Sequence, residues 1–69
     1  MSNKLSPIAK NIRRQREKMG FSQDKLSKLA GVSYNTIVKI ESSNNPNPTL
    51  GTIEKIAKAL DVNINNLIK

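Results

Sequence analysis

Residues 22–42 read Ser-Gln-Asp-Lys-Leu-Ser-Lys-Leu-Ala-Gly-Val-Ser-Tyr-Asn-Thr-Ile-Val-Lys-Ile-Glu-Ser. Two short amphipathic helix patterns meet there across Ala30-Gly31-Val32-Ser33. Ser22 is placed to cap the first, and Asp24 suits its positive N-terminal end. Leu26, Leu29 and Ala30 are its predicted inward side chains, and Gly31 permits the left-handed turn that ends it. Ser33 caps the second pattern, in which Ile37 and Ile40 form the inward pair. The charge is uneven around this hairpin. Residues 1–42 hold nine Lys/Arg against three Asp/Glu, and residues 43–69 hold three against two. The basic half is the half with the hairpin.

Outside the hairpin, Ser6-Pro7 is a helix opening, with Ser as cap and Pro in the first turn. Ile8, Ile12 and Met19 then share one face until Gly20 ends the first helix. The polar stretch from Ser42 through Pro46 to Pro48 cannot continue a helix and reads as a loop. Thr49 starts a fourth helix with Leu50, Ile53, Ile56, Ala57 and Leu60 at helical spacing, and Asn63 opens a short fifth one carrying Ile64, Leu67 and Ile68. No strand pattern competes. The expectation is an all-α, compact five-helix bundle over residues 7–69, preceded by a flexible N-terminal segment at residues 1–6.

Composition removes several function classes. The chain has 69 residues, enough for one domain with a small core. It contains no His and no Cys, which takes away the usual general base, the usual metal ligands, thiol nucleophiles and disulfides. No catalytic constellation is present, so the chain is not expected to be an enzyme, and neither a cofactor nor a metal is expected. No run of about 18 apolar residues exists for a membrane span, and the first ten residues lack the apolar core of a signal peptide. The expected compartment is the cytoplasm. The apolar faces also match a mutual core rather than one continuous stripe, which argues against a membrane-surface helix. A formal charge of +7 with one Tyr, one Phe and no Trp suits a phosphate-binding surface better than a base-stacking platform. The bland alternative is a merely soluble basic domain.

Helices that turn at a glycine corner, in a basic chain, form a helix-turn-helix pattern that points to double-stranded DNA. Taking Ile37 as the inward direction and about 100° per residue, Asn35, Lys39 and Ser42 point away from it, with Val38 beside them and Tyr34 and Thr36 on the flanks. Asn suits the N6/N7 edge of adenine, Lys the O6/N7 pair of guanine, and Thr or Val methyls the methyl of thymine. Tyr34, near the capped end, fits a phosphate contact or packing better than a base contact. Ser42 has a plain alternative in simply ending the helix, and Asn35 and Lys39 in being an ordinary solvated face. Gln23 follows the Ser22 cap, where unpaired backbone N–H groups and a side-chain amide can converge on one phosphate oxygen. Arg13 and Arg14, with Lys10 and Lys18, supply long-range attraction or reach flanking phosphates. Arg16 lies about 40° from Ile12, on the margin of the apolar face, and Glu41 lies similarly close to Ile37.

The order Arg16, Gly20, Ser22-Gln23, Leu26, Gly31-Val32-Ser33, Ile37, Ile40-Glu41, Pro48-Thr49-Leu50, Ile53, Ile56-Ala57, Ala59-Leu60, Val62 resembles the phage repressor and Cro-like (XRE-type) family over residues 8–68. The resemblance implies a lambda-repressor-like DNA-binding domain with its motif at residues 22–42, the second helix crossing the DNA backbone and the third lying in the major groove. The expectation is a bacterial or phage-encoded, nucleoid-associated regulator, a repressor on a two-fold operator; a single module of this size covers little DNA, which points to a homodimer, and no small-molecule ligand is evident from the sequence. The resemblance gives Gln23 a phosphate or base contact. It makes Arg16 and Glu41 an internal ion pair that ties the first helix to the third, so that Arg16 orients the recognition helix rather than touching DNA. Dimer pairing through Ile64, Leu67 and Ile68 stands beside the alternative that these side chains pack under the fourth helix.

Two departures from the family pattern bear on function. Ser27 stands where Ala usually packs between the motif helices, and the loop at 42–48 holds no Lys or Arg. That loop offers Asn44, Asn45, Asn47 and the amides of the fourth helix instead, which speaks against minor-groove reading. A competing function is an antitoxin or partner-binding protein whose helix-turn-helix serves autoregulation, or the isolated N-terminal domain of a larger regulator.

Overall fold

The computed structural model describes residues 7–43 and 47–68. Five helices follow one another: α1 (Pro7–Lys18), α2 (Gln23–Ala30), α3 (Tyr34–Ser42), α4 (Leu50–Leu60) and α5 (Asn65–Ile68), with no strand among the described residues. Three of them begin on a hydroxyl cap. Ser22 Oγ accepts from the Lys25 amide, Ser33 Oγ from the Thr36 amide and Thr49 Oγ1 from the Thr52 amide, at 3.0, 3.1 and 3.1 Å. Each satisfies a backbone donor that the helix leaves unpaired. The expected cap at Ser6 and the flexible segment 1–6 lie outside the described residues.

The corner between α2 and α3 is set by Gly31, whose φ of 73° is left-handed. Its amide and that of Val32 both donate to the Ser27 carbonyl, closing the end of α2 in the way the sequence predicts. Helix α4 ends differently: Asp61, at φ 58°, takes the left-handed position that glycine occupies elsewhere.

Ile12, Leu26, Ile37, Ile56, Leu60 and Leu67 are the large, fully buried side chains, drawn from all five helices. Helix α3 packs on α1 and α2, while α4 packs on α2. Three inward expectations fail. Met19 and Leu29 are half exposed and Leu50 is 64% exposed. Met19 follows the end of α1 and precedes Gly20 at φ 74°, so the helical wheel no longer applies to it. On α2 the buried set is Leu26, Ser27 and Ala30, which turns the inward arc toward Ser27 and leaves Leu29 on its edge. Leu50 sits in the first turn of α4, beyond the reach of the core. Ser42 closes α3 rather than opening the loop, with Ser43 as its C-cap.

The fifth helix starts at Asn65 rather than Asn63 and packs against α1, with Leu67 in the same core cluster as Ile53, Ile56, Ala57 and Leu60 of α4. Asn11 Nδ2 donates to the Leu67 carbonyl at 3.0 Å. Leu67 is fully buried and Ile64 packs on the core, leaving Ile68 as the exposed member of that trio. The Leu67 side chain is thus committed to the chain's own core and does not lie on the surface where a second copy would meet it.

Candidate functional site

Helix α3 presents two unlike faces. Ile37, Ile40 and Glu41 are buried, Thr36 and Val38 are half-buried on the flanks, and Tyr34, Asn35, Lys39 and Ser42 are exposed. The exposed set runs along one side of the helix, so a rod with a polar edge stands on an apolar base.

What holds the rod is a charged cluster at the junction of α1, α2 and α3. Arg16 Nε donates to Glu41 Oε2 at 2.7 Å and Arg16 Nη2 to Glu41 Oε1 at 3.0 Å. The remaining nitrogen, Nη1, donates to the Phe21 carbonyl at 2.7 Å. Side-chain exposure is 12% for Arg16 and 3% for Glu41, so this two-point pair is shielded from water and rigid. The hydrogen bond to Glu41 raises the Arg16 pKa above the ordinary guanidinium value; desolvation opposes it, and the charges of Glu41 and Glu17 add to it.

Gln23 joins the same cluster. Its Nε2 donates to Glu41 Oε1 at 3.1 Å. The carboxylate thus receives three hydrogen bonds, from two helices, and the side chain of the first residue of α2 is fixed beside α3. Sequence spacing carries no signal for this bond, because 18 positions separate the two residues. The Phe21 carbonyl contact is equally invisible, since it exists only once the chain turns at Gly20.

The other expected site residues are more loosely held. Arg13 and Arg14 are exposed on α1, and Arg13 lies 3.6 Å from Glu17, both more than half exposed. Such a pair contributes little. Ser42 Oγ donates to the Val38 carbonyl at 2.7 Å, and Thr36 Oγ1 lies 2.8 Å from Ser33 Oγ. A groove of about 610 Å³ runs beside the rod, lined by Thr36, Lys39 and Ser42 on one side and by Asn47, Thr49 and Thr52 on the other. Asn44 and Asn45 lie outside the described residues. Among the described residues no cluster of three or more acidic, His or Cys side chains could hold a metal, and no helix is long and apolar enough to cross a membrane.

Comparison with known proteins agrees with the helical architecture. The helix-turn-helix family model matches residues 12–67. The chain is 31% identical over 61 residues to the HTH-type transcriptional regulator SinR of Bacillus subtilis, covering 88% of this chain and 55% of that protein. It therefore spans about half the length of the curated relatives it matches. A crystal structure of the biofilm master regulator SinR in complex with DNA superposes with a TM-score of 0.85 at 31% identity, over 90% of this chain and 98% of that one. The restriction-modification controller protein C.AhdI from Aeromonas hydrophila gives 0.82 at 30% identity, over 88% and 91%.

Proposed function

The chain belongs to the XRE-type helix-turn-helix family, and from that premise we propose that it is a sequence-specific, double-stranded DNA-binding transcriptional regulator. Repression, by occupying a two-fold operator, is the mode this reading favours. The observation that carries it is α3 itself: an exposed polar edge with Asn35 and Lys39, on a helix braced from behind by Arg16 and Glu41, in a chain of charge +7. A rigid helix with such an edge fits the major groove.

In this reading Tyr34 meets a backbone phosphate near the start of α3. Gln23 keeps one amide proton beyond the one given to Glu41, and together with the opening amides of α2 it takes a phosphate oxygen. Arg13 and Arg14 add long-range attraction. Thr49 and Thr52 border the groove along which the adjacent strand passes. Arg16 serves as a positioning residue, since all three of its donating nitrogens are engaged inside the fold. Binding, rather than catalysis, is the activity that the family and the site support.

One module of this size covers little DNA, so two copies on half-sites about one helical turn apart would supply the affinity. The test is selection of bound duplexes from random DNA, followed by a salt titration of the enriched sequence. A dimer neutralising about 6–10 phosphates should lose roughly three to five decades of affinity between 50 and 200 mM salt. A nearly flat titration would count against groove docking.

A further inference from the structure

Leu29 is half exposed, and one exposed leucine by itself needs no explanation. Its surroundings make it informative. With Ala30 at the end of α2 and Lys55, Lys58 and Ala59 of α4, it lines a groove of about 370 Å³. The groove exists because two of the side chains at this seam of α2 and α4 are alanines, too short to fill it. Lys55 and Lys58 are exposed, and neither ammonium has a hydrogen-bond or ion-pair partner among the described residues. Lys28, next to Leu29 in sequence, is paired with Asp24 at 3.2 Å. The lining is therefore apolar, with two free positive charges.

That combination selects its occupant. The volume lies at the low end of small-molecule sites, about 300–1,000 Å³, and no polar group other than the two lysines lines it to fix a ligand's orientation. A phosphate backbone would satisfy the lysines and leave Leu29 and the alanines uncovered. A second copy of the chain brings the wrong charge: its five acidic residues, Glu17, Asp24, Glu41, Glu54 and Asp61, fall no two in the same helix, and three of them are already in ion pairs. An amphipathic helix with an apolar stripe and flanking carboxylates matches both the lining and the charge.

We propose that this groove docks an acidic amphipathic helix of a partner protein, which seats an apolar side chain against Leu29, Ala30 and Ala59 and sets its carboxylates on Lys55 and Lys58. The groove also stays open when α3 lies on DNA, a clause that rests on the DNA-binding reading above. Gln23 and Leu29 are six residues apart on α2, about 9 Å along the axis, and Thr52 and Lys58 are spaced alike on α4.

Selection of helical peptides from a displayed random library on the 69-residue chain tests this. Enriched peptides should carry apolar residues at helical spacing with Asp or Glu beside them, and should perturb the amide shifts of Leu29, Ala30, Lys55, Lys58 and Ala59. Leu29→Gln, which retains helix propensity, should weaken them by about 5- to 30-fold. Lys55→Glu with Lys58→Glu, both on the exposed side of α4, should weaken them by about 10-fold or more at low salt. Duplex DNA selected for the chain should leave the peptide bound at 0.1 M salt, where the Debye length is about 10 Å.

The proposal is overturned if no peptide is enriched, if the enriched peptides are acidic without apolar anchors and ignore Leu29→Gln, or if the shifts fall on another surface. It is equally overturned if Leu29→Gln abolishes self-association of the chain or binding to anionic phosphatidylserine vesicles, which would assign the groove to a second copy or to a lipid surface. Displacement of the peptide by duplex, or loss of duplex binding in Leu29→Gln, would place the groove within the DNA interface and refute it. Failure to enrich any duplex would sink the DNA-binding reading alone, since the peptide selection is read without DNA.

Discussion

Arg16 and Arg14 are two positions apart on one helix and do opposite work. Arg14 is exposed, whereas Arg16 is closed in against Glu41 and the Phe21 carbonyl. Arg16→Met leaves a buried carboxylate with only the Gln23 amide for company, a loss of about 3–5 kcal/mol, or a drop of at least about 12 °C in melting temperature for a domain this small. Arg14→Met should shift stability by no more than about 0.5 kcal/mol. Thermal melts of the two variants decide the point, and equal small shifts would contradict it. Removing the second charge as well, in Arg16→Met with Glu41→Leu, should restore much of the loss, because no uncompensated charge then remains inside. The raised pKa of Arg16 has a definite sign: its contribution is complete at every pH below the ordinary guanidinium range and is lost only as pH climbs through the raised value. Acid and neutral conditions therefore never unload the pair from the arginine side.

Ser27 extends the same scale. It is buried between the motif helices with its hydroxyl donating to the Asp24 carbonyl at 2.7 Å. That carbonyl belongs to the helix ladder, and the hydroxyl bends back to it instead of meeting a side chain elsewhere. Alanine fits the site with better helix propensity, so Ser27→Ala should raise stability by about 0.5 kcal/mol, read as a small upward shift of the melting midpoint.

At the scale of elements, two glycines give opposite expectations for one substitution. Gly31 holds the left-handed corner, and a Cβ there meets nothing within 4 Å. Gly31→Ala should therefore cost about 1 kcal/mol through backbone conformation alone, with no clash. Gly51 lies inside α4 with ordinary helical backbone, and its only near neighbour would be Thr49 Oγ1 at 3.9 Å. Gly51→Ala should stabilise by about 0.5–1 kcal/mol. Chemical denaturation of both variants would show the sign change; the same sign for both would mean that the corner is not the constraint assigned to it. The caps belong here too, since Ser22 and Ser33 were identifiable from hydroxyl residues placed ahead of apolar periodicity, while Thr49, read as the first residue of its helix, proves to be its cap. Met19, Leu29 and Leu50 show where that method stops. Periodicity names a face, but the depth of burial along the face depends on where the next helix begins and ends.

For the whole molecule, charge and topology work together. The surplus of positive charge lies in residues 1–42, which contain α1, α2 and α3. In the proposed docking the elements that face DNA thus carry the electrostatic attraction, while α4 and α5 complete the core. Replacing Arg13 and Arg14 by Gln should lower the salt dependence of duplex binding without altering the selected motif, because phosphate attraction is indifferent to base identity. A changed motif would place these side chains at base edges instead.

The five helices, the glycine corner, the caps and the outward face of α3 were legible in the chain because each arises from neighbours in sequence, through periodicity, a hydroxyl ahead of a helix or a residue tolerant of positive φ. What the tertiary structure decided was contacts between distant segments that no spacing announces: the third hydrogen bond on Glu41 from Gln23 and the seat of Leu67 on α1. Those depend on how helices are set against one another and on which rotamer each polar group adopts once water is excluded, and local sequence has no term for either.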